Sequence, residues 1–363
     1  MGLSKNRFRL NLSYQPQKWM NLDAAYDLVP KIQSEALSRN PFFFQQSDPF
    51  AYRVADLETN LYPRGTKAIQ NFSLSQNLDR ASITLRTQPA DITIGRQSIA
   101  WGSARAINPT DVLAPFPFEA LDTEDRIGID AVRARIPLGS LSEIDTGYVF
   151  GKDFKFENSA FYERTKFNVH KTDISLLLMG FRENLLVGFD LTRAIRGAGF
   201  WLETAYVFEN AFNYDDAGGM GSYFRASAGL DYSLTHKTYG FIEYHFNGAG
   251  SSTPGEYLKS FAKPAYTEGS VYLMGRHYII PGISYQISPL ITITGQSLIN
   301  ATDPSVYLTP QAEYNIANNV YLGIGAFIAI GEKPAATNEG SYLLRSEFGG
   351  YPDYYFGSIR YYF

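Results

Sequence analysis

The chain repeats one pattern almost from end to end: runs of about ten residues in which side chains alternate between apolar and polar. In Phe224 to Leu234, one face carries Phe224, Ala226, Ala228, Leu230, Tyr232 and Leu234, and the other carries Arg225, Ser227, Gly229, Asp231 and Ser233. The same period of two runs through Leu185 to Thr192 and through Val306 to Ile316. A period of two is the signature of a strand with unlike faces, and helical spacing fits none of these runs. About ten residues is the length a tilted strand needs to cross a bilayer.

Short polar turns such as Gln88-Pro89-Ala90, Thr235-His236, Ser288-Pro289 and Asn318-Asn319 join some neighbours, while the connections near 100–128, 249–271 and 332–350 are long. Tight turns at one end and long loops at the other are the asymmetry of an outer-membrane barrel. The fold class expected is therefore all-β, a transmembrane antiparallel barrel of 16 to 18 strands with 18 the best count, forming one domain over residues 1–363. An even count would put both ends on the periplasmic side. The early runs at 18–29 and 51–62 strain that scheme, because residues 31–50 make a long connection on the side that should be short. A soluble sandwich or β-helix is the competing reading. It is disfavoured because so many strands do not form one open sheet, and because only a closed barrel satisfies every backbone group in lipid.

Composition narrows the class further. No run approaches the 18 or so apolar residues of a membrane-spanning helix; Leu176–Phe181 and Ile324–Ile330 are far shorter. The absence of Cys rules out a disulfide scaffold, a thiolate metal site and a cysteine nucleophile. A net charge of −4 leaves no basic excess for nucleic acid. The start, Met1 to Lys5, passes directly into a strand-like pattern, which suggests a removed signal peptide or a truncated start.

The segment Gly95-Arg96-Gln97, Trp101-Gly102 and Asn108-Pro109-Thr110-Asp111 ends one strand and opens a long loop. It resembles a pattern found in a loose set of large bacterial outer-membrane channels, the alginate-export-like porins among them. The aromatic end at Tyr361, Tyr362 and Phe363 likewise resembles the final strand by which the barrel-assembly machinery recognises outer-membrane proteins. In general porins an early long loop folds inward and narrows the pore, and 100–128 is placed and sized to do so. Two arginines, Arg105 and Arg126, against Asp111, Glu119, Asp122, Glu124 and Asp125 give that loop a net charge of −3. Those five acids are the candidate acidic constriction, which would favour cations. Arg80, Arg86, Arg96, Arg133 and Arg135 are the candidate pore-lining basic wall facing it.

Catalysis is not expected, because His170, His236, His245 and His277 offer no base placed beside a nucleophile. His245, on one face with Glu243 and Asn247, is the nearest approach to a polar site, and it reads more naturally as a hydrogen-bonded wall. No cofactor and no metal are expected: Asp122-Thr123-Glu124-Asp125 lacks the glycine and terminal glutamate of a calcium loop. The function these features imply is passive diffusion of small hydrophilic or charged solutes. The expected partners are those solutes, outer-membrane lipid and lipopolysaccharide, and the assembly machinery through Phe363. Homo-oligomer formation stays open, as does an alternative in which the barrel is a sheath or export conduit that houses a periplasmic or multihaem cytochrome partner.

Overall fold

A computed structural model describes residues 2–34, 51–57, 59–64, 71–115, 124–212, 221–336 and 342–363. The wall begins with β1 (Leu3–Lys5), β2 (Phe8–Gln17), β3 (Met20–Gln33), β4 (Asn60–Tyr62), β5 (Phe72–Arg86), β6 (Asp91–Gln97), β7 (Ile129–Pro137) and β8 (Glu143–Val149). It continues through β9 (Ala160–Val169), β10 (Thr172–Phe181), β11 (Asn184–Ile195), β12 (Ala198–Phe208), β13 (Ser222–Ser233) and β14 (Thr238–Asn247). β15 (His277–Ser288), β16 (Ile291–Asn300), β17 (Ser305–Leu308), β18 (Gln311–Ala317), β19 (Val320–Ile330) and β22 (Tyr354–Tyr361) complete it. These twenty strands form one antiparallel sheet, and β20 (Ala335–Ala336) with β21 (Tyr342–Leu343) makes a separate hairpin.

β1 and β2 both pair with β3, and β17 and β18 both lie between β16 and β19, so each couple is one spanning run with a break in it. The second break falls at Pro310, which has no N–H to give a ladder. With β4 set aside as a short pairing on β5, the sheet is a meander of seventeen spanning runs among the described residues. The fold is thus an all-β transmembrane barrel within the expected range of strand number. The run expected at 51–62 is not a spanning strand. Residues 51–57 lie inside the barrel, where Arg53 donates to Gly128 O at 2.8 Å and to Asn77 at 2.7 Å, and Val54 N donates to Asp130 at 2.9 Å. Apolar alternation there reflects packing under a loop, not exposure to lipid.

An odd number of runs makes β2 and β22 parallel in direction, both descending toward the short-turn end. Leu3 is thus at the long-loop end and Phe363 at the short-turn end, in place of two ends on one side. No ladder joins β2 to β22 among the described residues. Their outward side chains show it: Leu12 and Ile359 are 63% and 75% exposed, against 50% and 49% for Leu176 and Leu178 in mid-wall. Side chains bridge the margins instead. Glu124 accepts from Arg360 of β22 at 2.7 Å and from the Tyr362 hydroxyl, and also lies 3.8 Å from Arg7. Asp125 meets Arg7 at 2.9 Å and Arg9 of β2 at 3.3 Å. One two-residue segment touching both margins requires the sheet to curl round on itself.

The inner face does not stay polar along its length. On β10, Leu176 and Leu178 point outward while Leu177, Met179 and Phe181 are buried inside. Similar inward residues, including Ile129, Val149, Tyr162 and Val207, pack against Ile99, Val112 and Leu113 of the segment after β6 and against Tyr266 and Val271 of the segment after β14. A second cluster joins Tyr278, Tyr307 and Phe327 to Tyr257, Leu344 and Phe348. Burying such side chains stabilises by about 1.5–3 kcal/mol each, so the barrel carries a true core at its long-loop end, inside the wall.

Candidate functional site: the lumen and its inward segment

Residues 98–115 leave β6, enter the lumen and return, and the motif at 95–111 is what seats them. Gly95 takes φ +110°, and a Cβ there would lie 2.3 Å from Ala81 O. Arg96 is buried and holds Asp130 at 2.8 Å and Asp56 at 2.9 Å. Trp101 Nε1 donates to Asp145 at 3.2 Å. Gly102 takes φ +109°, a conformation that only glycine adopts cheaply. Gly188 on β11 admits the close approach, since a Cβ there would meet Thr110 Cγ2 at 2.9 Å.

Two wall carboxylates grip the segment by its backbone. Glu203 Oε2 accepts from Ser103 N at 3.0 Å and Ala104 N at 3.1 Å, and Oε1 from Thr110 N at 2.9 Å and Thr110 Oγ1 at 2.7 Å. Glu243 Oε2 accepts from Arg105 N at 2.7 Å, Ala106 N at 3.3 Å and Trp201 Nε1 at 3.0 Å, and Oε1 from Ile107 N at 3.0 Å. Both glutamates are buried. A segment without a ladder must satisfy its amides somewhere, and here two anions do so. Glu203 belongs to a lumen-facing row of directly opposed residues, Lys166, Ser175, Asp190, Glu203, Ser227, His245, Tyr278 and Asn300, and Glu243 stands two residues from His245 on β14.

His245 Nδ1 lies 2.8 Å from Ser227 Oγ, and Ser227 Oγ donates to Ile107 O at 2.6 Å. With its one proton committed to that carbonyl, Ser227 accepts from His245. The dyad is a lock on the segment and holds no activated nucleophile.

The candidate basic wall divides in two. Arg80 is tied to Asp79 at 2.6 Å and to Arg126 O at 2.6 Å, Arg96 to its two aspartates, and Arg133 to Asp145 at 2.6 Å. Arg86 and Arg135 are exposed near the short-turn end, both opposite Asp91 in register. The candidate acids do not form one inward face. Asp111 is buried against Arg126, and Glu124 and Asp125 clasp the margins of the wall. Glu119 and Asp122 lie outside the described residues. Sequence charge counting could not see this, because every described acid of the set has an arginine opposite it, and those of Glu124 and Asp125 come from both margins of the wall. Burial raises the Asp111 carboxyl above its usual range against the pull of Arg126. At Glu124 burial also acts upward, yet the Tyr362 hydroxyl and Arg360 outweigh it and hold the group below its usual range.

Arg105 is the cation the segment shows to the lumen. Its side chain is 52% exposed, holds Asp231 at 2.8 Å and places its guanidinium 5.3 Å from the Trp201 ring. Beneath the segment lies a polar cleft of about 150 Å³, between Trp101, Ser103 and Thr110 on one side and β9, β10 and β11 on the other. Arg164 and Lys166, which line it, were not among the residues singled out from sequence; their spacing of two on one strand face was the available signal.

Above the site, Glu347 anchors the segment before β22. It is buried and accepts from Met274 N at 2.9 Å, Tyr278 Oη at 2.5 Å and Asn300 Nδ2 at 2.7 Å. Burial pushes its carboxyl up to about 7, against those donors. Among the described residues no group of three or more His, Asp or Glu is placed to hold a metal ion, and no helix is long and apolar enough to cross a membrane.

No family model matches the chain, and no curated protein matches it. Solved structures do. OccAB2 of Acinetobacter baumannii superposes with a TM-score of 0.54 at 8% identity, covering 97% of this chain and 92% of that one. Wzi of Escherichia coli, described as an outer-membrane protein involved in group 1 capsule assembly and as a carbohydrate-binding β-barrel, gives 0.53 at 10% identity over 89% and 74%. OccD3 of Pseudomonas aeruginosa gives 0.51 at 8% identity over 94% and 83%. At such identities the likeness is one of architecture, and it establishes that this chain has the fold of the Gram-negative outer-membrane β-barrels.

Proposed function

We propose that the chain is a passive outer-membrane channel for small hydrophilic or charged solutes, with the pinned segment 98–115 as its constriction. The observation that carries this reading is the grip of Glu203 and Glu243 on that segment. Seven hydrogen bonds run from the segment to two buried carboxylates and hold it in place across the lumen, and a selective channel needs its constriction held still. The resemblance of residues 95–116 to alginate-export-like porins supports the same reading. The alternative, a sheath around a folded partner such as a cytochrome, gains nothing from a lumen already packed with the chain's own Tyr257, Tyr266 and Phe348. Lipid and lipopolysaccharide are the proposed surroundings of the outward apolar residues, and the exposed Phe363 is the proposed contact for the assembly machinery.

Single-channel recording in a planar bilayer under a salt gradient tests the channel reading. Small, steady openings with measurable ion preference are the expected result. Silence from folded, heat-modifiable protein would overturn it.

A further inference from the structure

We propose that the cleft beneath the inward segment is a binding subsite for a small zwitterion, a solute with one cationic and one anionic group a few bonds apart. This deepens the channel reading and rests on it. The cleft holds two cations, Arg164 and Lys166, and two acids, Asp173 and Asp190, so its own charges balance. What distinguishes these groups is the length of their ion pairs, although Arg164 also donates to Ser175 Oγ at 2.9 Å and Asp173 accepts from Asn168 at 2.7 Å. Arg164 is 3.5 Å from Glu143, and Lys166 is 3.6 Å from Asp173. Elsewhere in the lumen Arg133 meets Asp145 at 2.6 Å, Arg96 meets Asp130 at 2.8 Å and Arg9 meets Asp79 at 2.9 Å. Charge-assisted hydrogen bonds close to about 2.7–2.9 Å when nothing prevents it. The cleft therefore presents charges that a ligand can take over without first breaking a tight ion pair, the short bonds there being to the neutral Ser175 and Asn168.

A zwitterion can do this at little electrostatic cost. Its carboxylate takes Arg164 and Lys166 while its ammonium takes Asp173 and Asp190, and every protein charge keeps an opposite partner. An ion of single sign would leave one side uncompensated in a partly desolvated place, which is the expensive outcome. Size sets a second limit. A space of about 150 Å³ suits a solute of roughly six heavy atoms, since a cavity of about that volume accommodates benzene. Trp101 on one side gives the carbon chain of such a solute an apolar surface, and Ser175 gives it a hydroxyl.

The test is a titration of the purified, folded barrel with β-alanine, read by the emission of Trp101, with Trp101→Phe assigning the signal. Propionate and propylamine, each carrying one of the two charges, are the controls. We expect a saturable response to β-alanine, with half-saturation at least about tenfold weaker for either single-charge analogue. Lys166→Gln and Asp190→Asn should each weaken β-alanine by about tenfold, while Lys155→Gln in an outer loop should not. Equal binding of propionate or propylamine, or no saturable response from folded protein, would overturn the proposal. Bilayer recordings separate the two readings: current without β-alanine binding leaves the channel and removes the subsite, and binding without current does the reverse.

Discussion

Removal of the Glu203 carboxylate should release the inward segment while leaving the wall intact. In Glu203→Ala, the Ser103, Ala104 and Thr110 amides and the Thr110 hydroxyl lose their acceptor at a buried position. Each orphaned buried donor costs about 1–3 kcal/mol, but the costs do not add in full because water enters the space left behind. About 4 kcal/mol is a reasonable net loss, and that raises the detached population about a thousandfold. Glu203→Gln should be nearly as damaging despite its shape, since its amide would point N–H groups at two N–H donors. The chain has no Cys, so Ser103→Cys supplies a single thiol whose maleimide labelling rate follows the detached population. Labelling should accelerate by about two to three orders of magnitude in the Glu203→Ala background. Bilayer currents should become noisier. Labelling within about threefold of the parent, in protein that still shows the folded band, would refute the idea that this carboxylate holds the segment, since threefold is under 1 kcal/mol.

Other outcomes follow from the remaining contacts. Glu124→Gln with Asp125→Asn should lower the heat-modification temperature by a few degrees, as partly exposed pairs worth about 1–2 kcal/mol in sum are lost; melting equal to that of the parent would show that the clasp does not hold the margins. The Glu347 carboxyl, raised to about 7 in the fold from its ordinary 4.5, resists ionisation while the detached segment does not. Anchoring of 342–353 should therefore be strongest below about pH 4.5, weaken as pH rises toward 7 and level off above it. Hydrogen exchange of the Glu347 and Phe348 amides should follow that curve, and Glu347→Gln should flatten it. Arg105→Glu should move the reversal potential toward cations, whereas neutralising Glu124 and Asp125 should leave it nearly unchanged, because those acids already face Arg7, Arg9 and Arg360; a large shift from the second change would mean that their charge is felt in the passage.

The sequence by itself determined the class of fold. A period of two over ten-residue runs, tight turns alternating with long loops and an aromatic end leave few architectures besides a barrel in a membrane. It also marked 95–111 as special, through a Gly-Arg-Gln, Trp-Gly and Asn-Pro-x-Asp pattern that resembles one in large outer-membrane channels, while the positive φ of Gly95 and Gly102 belongs to the folded chain. Three things were settled by tertiary structure alone. Alternation assigns residues to two faces without saying what each face meets, so Leu177, Met179 and Phe181 read as part of a greasy run until the returning segments were seen packed against them. The same limit allowed 51–62 to pass for a spanning strand. The grip on the constriction was equally hidden, because its donors are backbone amides, which every residue carries. Its acceptor Glu203 stands 100 residues along the chain from Ser103. Nor could charge counting show which acids are spent on arginines, since ion pairing depends on distances across the lumen and not on order along the chain.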